Sequence, residues 1–418
     1  MLGGEKQYGR PRELPHYWGR LDELMSGPSE IPFKTKMVVE GAAKLLVPLF
    51  EEMPASSKMP AFYNPASKAS RDLAVLAVNA YFRGAGCRFF AEPLAGAGAR
   101  AVRLLLETNV AREGVAGDIN PWAVALSRIN ASLNGLSERL RVEHSDANLL
   151  LARLALEGRA CYVDIDPFGS PIRFLESALR ATERNGLLGV SATDLAALSG
   201  SSRRTAYWRY GLTLSKTVFF KEVAIRALAG VVVRASSRLG LAATPVVSAA
   251  YRHFVRVFFR VERGKSKAYA ASRMTGHLAH CRSCLNTMKL ERLEDWSRSC
   301  SICGHENVPL GPIWLGPLTD GAIIQRILTS ELASDDTYSE VLSLIRRLDR
   351  ELQDIPWSYP ISELSRRAKT SPPRPGEILE KLVEIGYRAS ATHYDPSSIK
   401  TDAPVTILTR LVAEHRSK

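Results

Sequence analysis

Between residues 87 and 262 the chain alternates two hydrophobic rhythms. Short apolar runs give way to stretches whose apolar positions recur at helical spacing. "CRFFAEPL" (87–94) reads as a buried strand, and "AGAGARAVRLLLE" (95–107) as a glycine turn opening a helix. "GVAGDI" (114–119) is a second strand. "NPWAVALSRINASLNG" (120–135) is a helix with Pro121 near its start and Gly135 at its end. "LRVEHSD" is a third strand, followed by a helix from about Ala147 to Leu156. "ACYVDID" is a fourth, followed by a helix from near Pro171, and "GLLGVSATD" is a fifth. "VFFKEVAIRALAGVVVRASSRLG" (218–240) is a long helix, and "AATPVVSAAYRHFVRVFFRVERG" (242–264) supplies two further strands. Strands alternating with helices predict an α/β fold with a doubly wound parallel sheet.

Beyond residue 262 the pattern changes. A polar, basic stretch, "ERGKSKAYAASRMTGHLAH", leads into four cysteines, and a domain boundary is placed near 264. Helices follow at "YSEVLSLIRRLDREL", "ISELSRRA" and "PGEILEKLVEIG", then an aperiodic "YRASATHYDPSSIKTDAP" that reads as a β-wing. Helices followed by a wing resemble a winged-helix module. Arg366, Arg367, Lys369, Arg374, Arg388 and Lys400 are candidates for a phosphate-facing surface, although a charge run is more often a solvated face. The organisation expected is an N-terminal extension over 1–60, a first domain over 61–263 and a second over 264–418. The first 30 residues, rich in Pro and Gly, are expected to be partly disordered.

Composition narrows the class. The chain has 418 residues, 45% of them hydrophobic, which suits two or three domains. No apolar run approaches the ~18 residues of a membrane span, and the first residues lack the apolar core of a signal peptide. The expectation is a soluble, cytoplasmic protein with no evident need for an obligate protein partner. The formal net charge of +13 favours a polyanionic partner, nucleic acid above all. Glutamine occurs only at Gln7, Gln325 and Gln353, and scarcity of thermolabile amides hints at a thermophile.

Six cysteines are spread unevenly. Cys87 and Cys161 stand alone in apolar surroundings and read as small core residues. Cys281-x2-Cys284 and Cys300-x2-Cys303, fifteen residues apart, have the spacing of a four-thiolate zinc site. A disulfide framework is the alternative, disfavoured in a cytosolic chain of this length. Four thiolates leave no open position on Zn2+, so the metal is expected to be structural.

Ligands of doubly wound sheets bind at the carboxyl ends of the strands. Gly96-x-Gly98-x-x-Ala101 follows the first strand, and Asp118, at the end of the second, can accept hydrogen bonds from both hydroxyls of a ribose. These features alone do not separate a nicotinamide dinucleotide from S-adenosyl-L-methionine. Two others favour the latter: Asp146-Ala147 ends the third strand, where a carboxylate can bond an adenine amino group, and the fourth ends in Asp166-Pro167-Phe168-Gly169. An exocyclic base amine is a poor nucleophile because its lone pair is delocalised into the ring. A neighbouring carboxylate can accept its N–H, direct the lone pair and take the proton, while an aromatic ring fixes the plane of the base. Asp166 and Phe168 suit those roles; Asp164 faces the same side but deeper. An ordinary Asp-Pro turn is the plainer reading.

"DIDPFGSP" (164–171) resembles the fourth motif of the tRNA (guanine-26 N2,N2)-dimethyltransferase family. "FYNPASKASRD" (62–72), "GARA" (98–101), "DINPWAV" (118–124), "SDAN" (145–148), "SATDLAALSG" (191–200), "GPIWLGPL" (311–318) and "THYDPSSIKTDAP" (392–404) follow in the family's order. One departure is Leu198-Ser199-Gly200, where the pattern has Leu-Cys-Gly. The resemblance implies a Rossmann-like class I methyltransferase domain followed by a smaller α+β domain carrying the zinc site and binding tRNA. It implies that Arg71, Arg100, Asp118, Asp146 and Ala147 contact S-adenosylmethionine. It further implies that Asp166 is the catalytic carboxylate, and that Phe62 and Phe168 sandwich the target guanine. Without it, Phe62 could equally be core packing, Arg71 a solvated helix residue, and Arg100 a cap or partner on its own helix. An amino-methyltransferase of another RNA or DNA base, and an inert zinc-containing RNA-binding protein, are the alternatives. Both are disfavoured, by the C-terminal motifs and by the three aspartates respectively.

Overall fold

The structure, a computed structural model, describes residues 31–49 and 61–415. The disorder expected over residues 1–30 lies outside the described residues. So does much of the proposed extension; its residues 35–48 form a hairpin of β1 (Thr35–Glu40) and β2 (Ala43–Pro48). Then come α1 (Lys68–Tyr81), β3 (Cys87–Glu92), α2 (Ala99–Glu107), β4 (Ala111–Asp118), α3 (Pro121–Leu133), β5 (Leu140–His144) and α4 (Ala147–Glu157). β6 (Ala160–Ile165), α5 (Leu175–Ala181), β7 (Thr182–Ala192), α6 (Leu195–Leu198), α7 (Arg203–Tyr210), α8 (Phe220–Arg238), β8 (Leu241–Tyr251) and β9 (Phe254–Arg263) complete the main sheet.

That sheet has seven strands in the order β5-β4-β3-β6-β7-β9-β8. β3 to β7 are mutually parallel, but β9 runs antiparallel to both of its neighbours. The all-parallel expectation is therefore corrected to a mixed sheet. The reason is local: only Arg252 and His253 separate β8 from β9, and so short a loop can join only antiparallel strands.

Both faces of the sheet are covered. α4, α5 and α8 pack on one face around Val163, Leu188 and Phe259. α1, α2 and α3 pack on the other around Phe90, Tyr162 and Phe258. Cys87 and Cys161 are buried as expected, but they are not isolated. They lie on the adjacent strands β3 and β6 with Cα atoms 5.6 Å apart and form a disulfide.

The basic stretch after 262 is structured. It forms α9 (Lys265–Arg273) and β10 (Thr275–Cys281), and β10 pairs with β11 (Thr287–Leu290) and β12 (Asn307–Trp314). Leu278, Leu310 and Trp314 of that small sheet share the core of α8. α10 (Gly321–Leu328) and α11 (Ser339–Arg350) fold back on α1, where Ile323, Val341, Ile345 and Leu348 extend its core. The remaining segments have a core of their own: β13 (Tyr359–Pro360), α12 (Ile361–Ala368), α13 (Pro375–Glu384), β14 (Ala389–Ala391), β15 (Ser398–Thr401) and α14 (Val405–Glu414). β15 lies between β13 and β14, so the aperiodic "wing" is a pair of short strands closed by a third.

A buried charge cluster joins this last unit to the rest. Lys400 of β15 is fully buried, with Nζ 2.8 Å from Glu222 of α8 and 2.7 Å from Glu351. Arg226 binds Glu222 and donates to the carbonyls of Trp314 and Gly316, and His393 binds the other oxygen of Glu351. Lys400 is thus a joint between units and is removed from the phosphate-facing candidates. Arg388 bridges Asp354 and Asp402, and Arg366 pairs with Glu363.

Candidate active site

The acidic residues singled out from the sequence converge at the carboxyl end of the parallel strands. Asp118 ends β4, Asp146 caps α4 just after β5, and Asp166 follows β6. The glycine turn after β3 sits among them. Gly96 has φ +55°, and a Cβ there would lie 2.6 Å from the carbonyl oxygen of Phe62. That carbonyl also accepts the Ala97 N–H. Gly98 has φ +74°, and a Cβ there would meet Ser127 Oγ at 2.3 Å. No side chain fits at either position, so the turn presents bare backbone at the start of α2.

Asp118 faces this turn. It accepts the N–H groups of Gly96 and Asn120, each at 2.9 Å, which holds the carboxylate in place while lone pairs remain on both oxygens. Burial pushes its carboxyl above the usual carboxylate range, against those hydrogen bonds. Asp146 spends one oxygen on the N–H groups of Asn148 and Leu149 and keeps the other exposed, beside the buried Ala147.

Asp166 is the outermost member of a buried ionic cluster. Arg100 of α2 donates to Asp166, to Asp164 at 3.1 Å and to Glu92 at 2.9 Å. Arg256 of β9 donates to Asp164, to Ser191 and to the Tyr162 hydroxyl, and lies 3.8 Å from Asp166. Arg100 is thus neither a cap nor a partner on its own helix; it ties the ends of β3 and β6 together. Asp164 has no exposed surface, whereas the Asp166 side chain is 24% exposed, so Asp166 is the carboxylate that reaches the mouth. Burial favours protonation of Asp166, but the Arg100 and Arg256 charges outweigh it and hold its carboxyl below the usual range. Burial pushes Glu92 up to about 7 despite Arg100. Its Oε2 has no hydrogen-bond partner among the described residues.

Phe62 and Phe168 do meet at this mouth. Their centroids are 4.5 Å apart with planes at 77°, an edge-to-face contact and not a parallel pair. A base between two stacked rings needs a gap near 7 Å, twice the usual stacking distance. The two rings as they stand leave no gap of that width between them, and Phe168 is 53% exposed. Arg71 is not a solvated helix residue. It is buried, with Nε and Nη2 each 2.6 Å from Glu40 of the hairpin.

A family model described as N2,N2-dimethylguanosine tRNA methyltransferase matches residues 41–413. The chain belongs to this family. A tRNA (guanine(26)-N(2))-dimethyltransferase of Methanopyrus kandleri is 37% identical over 371 residues, 88% of this chain and 94% of the relative. Its counterpart in Methanothermobacter thermautotrophicus is 33% identical, covering 90% of this chain and 98% of the relative. Among solved structures, Trm1 from Pyrococcus horikoshii in complex with S-adenosyl-L-methionine superposes with a TM-score of 0.78. It is 29% identical and covers 90% of this chain and 99% of that one.

For this dimethyltransferase-family chain, two site features escaped the sequence reading. Glu92 lies inside a strand pattern, and Arg256 is 92 residues from the Asp164 it binds. Only the acidic ending of "CRFFAE" hinted at the first, and no local signal marked the second. The cysteines, by contrast, come together as their spacing predicts. The four sulfurs lie within 4.8 Å of one another, with Cys281–Cys303 at 3.5 Å and Cys284–Cys300 at 3.6 Å. Ligands 2.3 Å from a tetrahedral zinc stand about 3.8 Å apart, so the set fits a four-thiolate Zn2+. Arg367 braces the first cysteine turn by donating to the carbonyls of Arg282 and Ser283. Among the described residues no helix is long and apolar enough to cross a membrane.

Proposed function

We propose that the chain transfers methyl groups from S-adenosylmethionine to the exocyclic N2 of guanine 26 in tRNA, giving N2-methyl- and then N2,N2-dimethylguanosine. The observation that carries this reading is Asp166, ionised at the pocket mouth beside Phe168. The donor supplies a methyl group activated on a sulfonium. The bare turn at Gly96 and Gly98, the open lone pairs of Asp118 and the unpartnered Oε2 of Glu92 suit it. Asp146 and Ala147 are assigned to the adenine end. Arg71 and Arg100 are assigned to the donor as well, Arg100 also fixing Glu92, Asp164 and Asp166.

Asp166 accepts an N–H of the guanine amine and so aligns the lone pair. Its lowered pKa keeps it ionised, and so available to accept a hydrogen bond, while making it a weak base. A weak base suffices, because an arylamine that has gained a methyl is a strong acid until it loses its proton. After the first transfer one N–H remains, and the same hydrogen bond can form again. Phe62 and Phe168 hold the plane of the base and replace part of the stacking lost when it leaves the RNA.

Residues 264–418 are assigned to tRNA docking, with one structural zinc at Cys281, Cys284, Cys300 and Cys303. The unit from β13 to β15 is read as a winged-helix-like module. The enzyme is assigned to the cytoplasm, in keeping with a tRNA substrate. Incubating tRNA with protein and labelled donor, then analysing nucleosides by mass spectrometry, tests the reading. Dimethylguanosine that disappears when position 26 is not guanine supports it; label on another base, or none, overturns it.

A further inference from the structure

One exposed surface near the pocket is unaccounted for by this chemistry. α7 reads "RRTAYWRY", and its inward face is spent on Ala206 and Tyr210. Tyr207 and Trp208 point outward, 70% and 64% exposed. Arg203 and Arg204 stand one turn before them, at i,i+4 spacing on the same exposed side. Neither makes a hydrogen bond or ion pair among the described residues, while every arginine named at the pocket is paired. Two adjacent solvent-facing aromatics interleaved with unpaired cations have no packing rationale. They are what a single-stranded nucleic-acid surface requires: π-faces for bases and charges for phosphates.

The helix is also tied to the pocket. Asp194, just after β7, accepts from Tyr210 Oη at 2.5 Å and from Arg209 Nη1 at 3.1 Å. The neighbouring Thr193 exchanges two hydrogen bonds with Gly169, next to Phe168. Arg209 in turn lies over the Trp208 ring, its Cζ 4.8 Å from the centroid, so the indole is pre-positioned with most of its surface in solvent. A rigid path thus runs from the base-holding ring to the indole.

We infer that the exposed face of α7 is an RNA platform, on which Trp208 and Tyr207 stack a nucleotide adjoining the extracted guanine while Arg203 and Arg204 hold its phosphates. The inference rests on the proposed tRNA activity. Extracting one base from a folded RNA unstacks its neighbours, and a platform beside the pocket compensates them. Positive charge fits RNA and argues against a basic protein or a second copy of this +13 chain as the occupant.

The test uses full-length protein with a Y207A/W208A pair and, separately, an R203S/R204S pair. The exposed positions leave folding and S-adenosylmethionine affinity unchanged, checked by thermal melting and calorimetry. The aromatic pair should weaken tRNA binding, and raise KM for tRNA, by about 10- to 100-fold, the range for losing one base stack. The arginine pair should reduce the slope of log affinity against log salt by roughly 1 to 2, the loss of two phosphate contacts. Wild-type protein that methylates guanine 26, with both variants binding and turning over tRNA as it does, overturns the platform and leaves the activity standing. Variants that lose tRNA affinity while wild-type methylates some other base would sink the activity and keep the platform. Self-association of wild type, abolished by the aromatic pair with tRNA binding intact, would make α7 a dimer surface and overturn the proposal.

Discussion

Asp166 shows how one residue takes its chemistry from neighbours distant in the chain. Its oxygen is held by an arginine 66 positions away, and a second arginine 90 positions away adds to the field. Replacing it by Ala should lower methyl transfer by roughly 10²–10⁴, the range for a positioned acid–base group. Affinity for the donor should stay within a few-fold, because that contact is assigned to Asp118; single-turnover assays and calorimetry separate the two. Glu92 gives a pH test. The unfolded chain releases its proton near 4.5 and the folded one near 7, so the folded form binds more protons between those values. Stability from this residue is therefore present below 4.5 and lost as pH rises through about 7. A Glu92→Gln protein, melted across pH 4.5–8, should lack that decline; an identical slope in both proteins would remove Glu92 from the account.

At the scale of elements, the glycine turn links the upstream "FYNP" motif to the donor site, because Phe62 lends its carbonyl to Gly96 and Ala97. A Gly96→Ala change meets both a positive φ and that carbonyl. It should cost roughly 1–3 kcal/mol of stability from backbone strain, more if the Phe62 segment cannot shift, and should weaken donor binding at least tenfold. Melting and calorimetry again measure both, and zinc content should not change. Elements were also where the sequence was most legible. Alternating apolar runs located the strands, and the three aspartates declared themselves by ending them. The direction of β9 was missed although its cause, a two-residue loop, was in plain view. Glu92, Arg256 and the engagement of Arg71 with Glu40 were not legible, because buried ion pairs form between strands and helices whose separation in sequence carries no periodic signal. Lys400 was misread for the opposite reason: a lysine near other basic residues is usually solvated, and nothing local shows that two glutamates await it.

At the scale of the molecule, the last unit is fastened by buried charge, and its Arg367 holds the first cysteine turn. Lys400→Met would leave Glu222 and Glu351 facing each other in the interior. It should destabilise the protein by roughly 3–5 kcal/mol, read by denaturant unfolding. Replacing both glutamates by Gln as well should restore much of that loss. Stripping the zinc with a chelator should loosen residues 281–303 first, and the helix braced by Arg367 next, as seen by hydrogen exchange. A metal-free protein with unchanged protection there would refute the site. The Lys400 cluster has one more consequence, in temperature. Taking charges out of water costs less as water warms, whereas apolar attachment gains little more. A seam closed by a dry lysine between two carboxylates should therefore keep its grip on heating better than one closed by leucines, and the two halves of the enzyme should stay in register at temperatures where greasy seams begin to slide.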